Sequence, residues 1–159
     1  MPGALVNVRE TGPRVNTGEI VMENSNSFTI ESDILEIPKV SLALDRALRV
    51  HGFSDEDILD TQLAVEEAIT NVIVHGYEKV KGSIVITCRI THGLAEVQIE
   101  DFAPPFNLLS FPEPDLNEDI QDRKIGGLGV FLIRQVMDDI VYRYENGKNI
   151  LVMVKKKNV

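Results

Sequence analysis

The 159-residue sequence predicts an α+β fold, a two-layer α/β sandwich in which a mixed, mostly antiparallel sheet carries helices on one face. Three observations predict this class. Two amphipathic helical patterns come first, two pairs of strand-like segments joined by turns follow, and an apolar helical pattern separates the two pairs. Helices and hairpins in this order bury their apolar faces as two packed layers.

The composition fits one globular domain and limits its partners. Hydrophobic residues make up 43% of the chain, charged residues make up 26%, and the formal net charge is -9. A nucleic-acid-binding surface needs concentrated basic charge, so we expect no direct nucleic-acid partner. No segment reaches the roughly 18 apolar residues of a membrane span and the N-terminus lacks a signal-peptide pattern, so we expect a cytoplasmic protein without a membrane partner. The single cysteine, Cys88, excludes a disulfide framework and is expected to be buried.

The N-terminal part of the chain divides into a leader and the start of the domain. Residues 1–27 show no sustained periodicity, which predicts a flexible leader before a domain spanning residues 28–159. Residues 28–30 are expected to form a short strand. Apolar residues at helical spacing beyond Pro38 then predict an amphipathic helix that ends near Gly52.

The second helix is predicted to begin at an N-cap, Ser54, and to continue to about Gly76. Glu67, Asn71 and His75 are four residues apart, so they form one polar stripe along this helix. An isolated helix acid is usually exposed to solvent. Together, however, Glu67 and Asn71 offer a carboxylate and an amide oxygen one turn apart, which suits a hydrated Mg²⁺ and proton transfer. His75 is expected to interact with the helix dipole.

The first hairpin places an acid in a buried row. Residues 82–90 alternate in polarity, a turn follows, and Leu94–Asp101 alternates again. Asp101 shares one face of its strand with three apolar residues by the period of two. A carboxylate at the end of such a row needs a partner.

The segment after Asp101 is long and rich in proline. Residues 102–125 exceed the usual length of a structureless connection, which predicts a lid or a disordered segment. The sequence Ile125–Gly129 then opens a third helix, residues 130–137, whose apolar character predicts burial. The lid also contains four acidic residues that are expected to be solvated: Glu113, Asp115, Glu118 and Asp119.

The last hairpin is signalled by Asn146–Gly147, and the basic run 155–157 is expected to be its solvated end. The glycine segment before the third helix matches neither a dinucleotide fingerprint nor a Walker phosphate loop. It remains either an anion site at a helix N-terminus or a flexible hinge.

These motifs, in this order, resemble the GHKL ATPases. The sequence has E-A-I-T-N at residues 67–71, D-F-A-P-P-F at residues 101–106, a variable lid and G-G-L-G at residues 126–129. Within that superfamily the chain is similar to the small anti-sigma-factor serine kinases of bacterial stress and sporulation switches, from about Ser27 to Lys155. The resemblance implies the Bergerat fold, with ATP between helices and sheet.

The resemblance also implies roles for individual residues. Glu67 would be the general base, Asn71 the magnesium ligand and Asp101 the acceptor for the adenine amino group. The second glycine box would place Gly127, Leu128 and Gly129 at the phosphates.

Two positions depart from the family pattern. Ala103 stands where the family usually has glycine, and its methyl group is expected to crowd the base. Some members have an arginine directly before the glycine box, where this chain has Ile125 preceded by Lys124. Lys124 would steady the phosphates in its place.

The function that the resemblance implies is an ATP- and Mg²⁺-dependent protein serine/threonine kinase. It would phosphorylate a STAS-domain antagonist, bind a sigma factor or another regulator reversibly, and form a homodimer. The alternative is an ATP-binding module that sequesters its partner without phosphoryl transfer. A phosphorelay histidine-kinase domain is a third hypothesis. It is disfavoured because a domain with an acceptor histidine is not expected to fit in the residues outside the matching region.

Overall fold

The computed structural model describes residues 25–112, 117 and 127–158 of the chain. Residues 1–24 of the predicted leader 1–27, the acids of the predicted lid and Lys124 lie outside these ranges, and residues 25–27 belong to a strand instead of the leader. No helix in the described part of the chain is long and apolar enough to cross a membrane.

One five-stranded sheet and one layer of helices form the domain, which confirms the predicted α+β class. The strands are β1 Ser25–Glu31, β2 Ser83–Thr91, β3 Leu94–Asp101, β4 Asp139–Glu145 and β5 Lys148–Lys156. The helices are α1 Ile37–Val50, α2 Asp55–Asn71 with a π-helical extension Val72–Tyr77, and α3 Gly127–Val136, and short 3-10 turns occupy Ile34–Glu36 and Leu108–Ser110. The strand order is β1-β2-β3-β5-β4. All four pairings of the described strands are antiparallel, so the sheet is more uniform than the mixed one predicted.

The helix boundaries follow from local chemistry. Ser54 caps α2 as predicted: its hydroxyl accepts from the backbone N–H of Asp57 at 3.1 Å, and the Asp57 carboxylate accepts from the backbone N–H of Ser54 at 3.3 Å. Gly52 ends the preceding turn with a φ of +76°, a left-handed conformation that glycine adopts without strain. The predicted turn at Asn146–Gly147 has φ values of +53° and +74°, as a two-residue hairpin requires.

The core lies between the helices and the inward rows of β3 and β5. In the sheet register Asp101 is opposite Asn149, Ile99 is opposite Leu151, and Val97 is opposite Met153. Helix α2 packs on these two strands and also contacts α1 and α3. The ends of α2 and β3 are therefore held against each other, and both carry predicted site residues.

Two expectations about burial were wrong. Lys155 is only 7% exposed, because its ammonium group donates to Asp60 and to the carbonyl of Val136, both at 2.8 Å. The third helix is buried on one face only: Val130 and Ile133 are in the core, whereas Arg134 and Gln135 are exposed. Cys88 is buried as expected, and burial raises the pKa of its thiol to about 12.

Candidate functional site

The predicted polar stripe on the second helix changes character after Asn71. The α-helix ends there and a π-helix continues to Tyr77, so the predicted end of the second helix near Gly76 is confirmed, whereas the α-helical period that placed His75 in the stripe stops at Asn71. A π-helix has a wider turn than an α-helix, which alters the direction of the side chains it carries. His75 stacks on the ring of Phe106, with centroids 6.0 Å apart, and meets Phe111 edge-on at 6.2 Å. His75 thus packs on the segment after β3, a contact that the predicted interaction with the helix dipole did not include.

A cleft of about 360 Å³ lies between α2 and α3. Its lining comprises Glu67, Thr70, Asn71, Val74, His75, Leu128, Gly129 and Leu132. The Glu67 carboxylate is half-buried and makes no hydrogen bond or ion pair with any described residue. Asn71 is only 5% exposed, and its side-chain Nδ2 has no hydrogen-bond partner. An unpaired carboxylate and an unsatisfied buried amide in one cleft are polar groups available to a ligand.

Gly129 allows α3 to approach the carboxylate. A Cβ atom at this position would lie 2.5 Å from Oε2 of Glu67 and 3.7 Å from Nδ2 of Asn71. Two of the glycines are part of the helix: Gly127 is the first residue of α3 and Gly129 the third. The first backbone N–H groups of a helix have no intrahelical acceptor. Gly129, within this first turn, has no side chain between the helix and the Glu67 carboxylate.

A second, smaller cavity surrounds Asp101. Its volume is about 10 Å³, which is room for roughly one water-sized group. Asp101 is 4% exposed, and both of its hydrogen bonds reach Oδ1, from the backbone N–H of Ala103 at 3.0 Å and from Nδ2 of Asn149 at 2.9 Å. Burial raises the pKa of this carboxyl, and the two hydrogen bonds offset part of that effect. Phe106 and Leu108 also line the cavity, so the segment after β3 closes it.

Asn149 was missed by the sequence analysis, although its strand carries a signal. Asn149, Leu151, Met153 and Lys155 share one face of β5, and all four are buried. Asn149 is thus a polar residue that continues an apolar row on β5, as Asp101 does on β3. A polar residue in such a row is held in place by its hydrogen bonds.

Ala103 and Tyr77 lie near the Asp101 cavity but do not line it. The Ala103 methyl group is buried and lies close to Gly76, where a Cβ atom would be 3.3 Å away. Ala103 does not line the cavity, so its methyl group does not occupy the space beside Asp101. The Tyr77 hydroxyl donates to the carbonyl of Ser83 at 2.6 Å and accepts from the backbone N–H of Phe102 at 2.9 Å, a role that the sequence analysis did not predict.

The structure thus distributes the predicted site residues over two neighbouring spaces. The cleft contains Glu67, Asn71, Leu128 and Gly129, whereas Asp101 lies in the cavity. The stacked pair of His75 on the cleft and Phe106 on the cavity connects the two. Lys124 lies outside the described residues.

The fold and these two spaces define a class of protein. The family described as the histidine kinase-like ATPase domain matches residues 30–155. This match covers most of the chain, which therefore belongs to that family.

Within the family, the chain is similar to serine-protein kinases. It is 38% identical to the serine-protein kinase RsbW of Listeria monocytogenes over 112 residues, 67% of this chain and 71% of the relative. It is 30% identical to the serine-protein kinase RsbW of Bacillus mycoides over 105 residues, 64% of this chain and 66% of that relative.

One solved structure supports the fold. The crystal structure of the RsbU and RsbW domains of a Mycobacterium tuberculosis protein aligns with a TM-score of 0.61 at 17% identity. The alignment covers 85% of this chain and 32% of that longer protein. At this identity the likeness concerns the fold alone.

Proposed function

We propose that this chain is an ATP- and Mg²⁺-dependent protein serine/threonine kinase of the anti-sigma-factor type. Its substrate would be a STAS-domain antagonist, and it would bind a sigma factor or another regulator reversibly. Family membership and the serine-protein kinases among its relatives support the proposal. The observation that carries it is the unpaired Glu67 carboxylate lying against Gly129 in the same cleft as the unsatisfied amide of Asn71.

The residues of the cleft fit a magnesium nucleotide. Mg²⁺ takes few protein ligands and completes its shell with water and substrate phosphates. No cluster of three or more histidine, cysteine or acidic side chains suits a metal ion in the part of the chain described, so Asn71 would hold the ion together with phosphate oxygens. Rotation of the unbonded amide about its last torsion presents its oxygen to the cleft at no loss of a hydrogen bond. When bound, the magnesium nucleotide supplies the phosphoryl group and the cation that neutralises its charge.

Glu67 would accept the proton of the substrate hydroxyl. Its carboxylate has no competing partner among the described residues, and the cleft admits a second molecule from solvent. Backbone N–H groups at the start of α3, around Leu128 and Gly129, would donate to phosphate oxygens. Lys124 would add a positive charge there.

Asp101 would recognise the base. Its Oδ1 already takes two hydrogen bonds, so Oδ2 is the oxygen left to accept from an amino group such as that of adenine. A cavity of about 10 Å³ is far smaller than a purine, so Phe106 and Leu108 must move when the base enters. Binding would therefore involve movement of these two side chains.

Replacement of Glu67 by glutamine tests the proposed chemistry. Loss of a positioned general base typically slows a reaction by about 10²- to 10⁴-fold, so Glu67→Gln should nearly abolish phosphoryl transfer and keep ATP affinity. The matched control is Glu66→Gln at the adjacent position, whose carboxylate accepts from Ser41 instead of facing the cleft. Labelled phosphate on the partner measures transfer, and calorimetry measures ATP binding. Transfer at the wild-type rate by Glu67→Gln would show that the assigned base is wrong.

A second function, ATP-controlled sequestration without phosphoryl transfer, is favoured by one observation. The described lining of the cleft contains no lysine or arginine, and phosphoryl transfer usually employs such cations. A complex of fixed stoichiometry with the partner, formed with ATP but without labelled phosphate on the partner, would establish this function in place of the first.

A further inference from the structure

The inference concerns Asn149, whose side chain joins β5 to the end of β3 and to the segment that follows it. Its Nδ2 donates to Oδ1 of Asp101 at 2.9 Å and to the carbonyls of Ala103 and Pro104, both at 3.1 Å. Its Oδ1 accepts from the backbone N–H of Phe106 at 2.9 Å and from the Tyr142 hydroxyl at 2.6 Å. Asn149 is 4% exposed, so these five bonds form away from water.

Two features of this network distinguish it from ordinary packing. The amide supplies the only side-chain hydrogen bond that Asp101 receives from the described residues. The same amide also bonds the segment that closes the cavity: Nδ2 donates to the carbonyls of Ala103 and Pro104, and Oδ1 accepts from the N–H of Phe106. Because both polar atoms of the Asn149 amide are bonded, the network fixes the orientation of that amide.

We propose that Asn149 is a positioning residue for nucleotide binding: it fixes the Asp101 carboxylate through Oδ1, leaves Oδ2 to the base, and ties this acid to the closing segment. The inference rests on the proposed function, because it takes Asp101 as the base-recognising group. Asn149 acts through Asp101 and the segment, and it need not touch the nucleotide.

The variant Asn149→Asp isolates the donor side of the amide. Aspartate keeps an oxygen for the Phe106 N–H and the Tyr142 hydroxyl but has no N–H to give to Asp101. It also places a second carboxylate beside the first, so one of the two takes up a proton more readily than usual. The facing groups are the Ala103 N–H and the hydroxyls of Tyr77 and Tyr142, and neither hydroxyl ionises near neutral pH, because burial raises the pKa of both.

The test is calorimetric titration of the full chain with Mg²⁺-ATP at two pH values. Loss of a hydrogen bond to a charged group should weaken the binding by Asn149→Asp about 10- to 150-fold relative to wild type near pH 8. Near pH 6 a proton shared by the two carboxyls restores a donor. The dissociation constant of Asn149→Asp divided by that of wild type should therefore be at least about threefold smaller near pH 6 than near pH 8. Using the ratio removes the protonation of ATP itself from the comparison.

The control is Tyr144→Phe, at the exposed residue that pairs with Asn149 across β4 and β5 but does not line the cavity; its affinity should stay within about threefold of wild type at both pH values. A ratio near one at both pH values would overturn the inference. A large ratio that is the same at both pH values would also overturn it, because it would indicate a structural defect that does not involve a shared proton. Wild-type chain that fails to bind Mg²⁺-ATP would overturn the proposed function itself.

If Asn149→Asp does not fold, the double variant in which the two residues are exchanged, Asp101→Asn with Asn149→Asp, is measured instead. The exchange retains one carboxylate and one amide in contact, so thermal stability should approach that of wild type. Binding should still be lost, because the acid now projects from β5. Wild-type affinity in the exchanged variant would overturn the assignment of the two roles.

Discussion

The substitution Gly129→Ala should separate stability from activity. The new Cβ atom would lie 2.5 Å from Oε2 of Glu67, whereas ordinary contacts begin at 3.4 Å, so the carboxylate oxygen must retreat by about 0.9 Å. Misplacement of a reacting group by about 1 Å costs on the order of 10²-fold in rate. The Glu67 side chain is flexible and half-buried, so its retreat costs little stability. Alanine is favoured over glycine in a helix by about 1 kcal/mol, so α3 should become slightly more stable.

The assay combines thermal melting with transfer of labelled phosphate to the proposed substrate, a STAS-domain protein, with the wild-type chain as reference. We expect Gly129→Ala to melt at or above the wild-type temperature and to transfer phosphate about 10²-fold more slowly. Gly147→Ala is the matched control, because a Cβ atom there meets nothing within 4 Å but the φ of +74° strains an alanine. That variant should lose about 1 kcal/mol of stability and keep its activity. Wild-type transfer by Gly129→Ala would refute the placement of Glu67 beside the reacting hydroxyl.

Further predictions concern the framework of the domain. Lys155→Met should lower the free energy of unfolding by about 1–3 kcal/mol in urea titrations, because a buried charged donor is lost. Substitution of the exposed neighbour, Lys156→Met, should change it by less than about 0.5 kcal/mol. Equal effects of the two substitutions would contradict the burial of Lys155. Tyr77→Phe should cost about 1–3 kcal/mol by the same measurement, because the Ser83 carbonyl and the Phe102 N–H lose their partner; an unchanged midpoint would argue against these bonds. Iodoacetamide should alkylate Cys88 slowly near pH 8 in the native chain and rapidly in urea, because burial raises the pKa of the thiol to about 12; equal rates would show that the thiol is accessible. Since the folded chain holds this proton more tightly than the unfolded chain, the Cys88 contribution to stability should be lost as the pH rises above the ordinary thiol range, and Cys88→Ala should lack this component.

Local sequence chemistry predicted much of the fold. Ser54 has its capping partner three residues away, and Asn146–Gly147 has the two residues that a tight hairpin favours. The period of two in β3 also predicted the burial of Asp101. Each of these features depends on residues close together in the chain.

The remaining features depend on contacts between distant segments. The π-helix after Asn71 carries His75 to Phe106, more than thirty residues later, and helical periodicity alone contains no such information. Lys155 reads as the solvated end of a strand until Asp60, on α2, is placed beside it. Asn149 was missed because its partners become apparent only from the register that sets it opposite Asp101.

The most direct test of the account is calorimetric titration of ATP into the wild-type chain, with and without Mg²⁺, alongside Asp101→Asn. We expect the wild type to bind ATP, and Mg²⁺ to strengthen this binding. The affinity of Asp101→Asn should be about 10- to 150-fold lower, because a buried hydrogen bond to a charged group is removed. Absence of ATP binding by the wild type, or equal affinity in Asp101→Asn, would contradict the proposal that this pair of spaces is the nucleotide site.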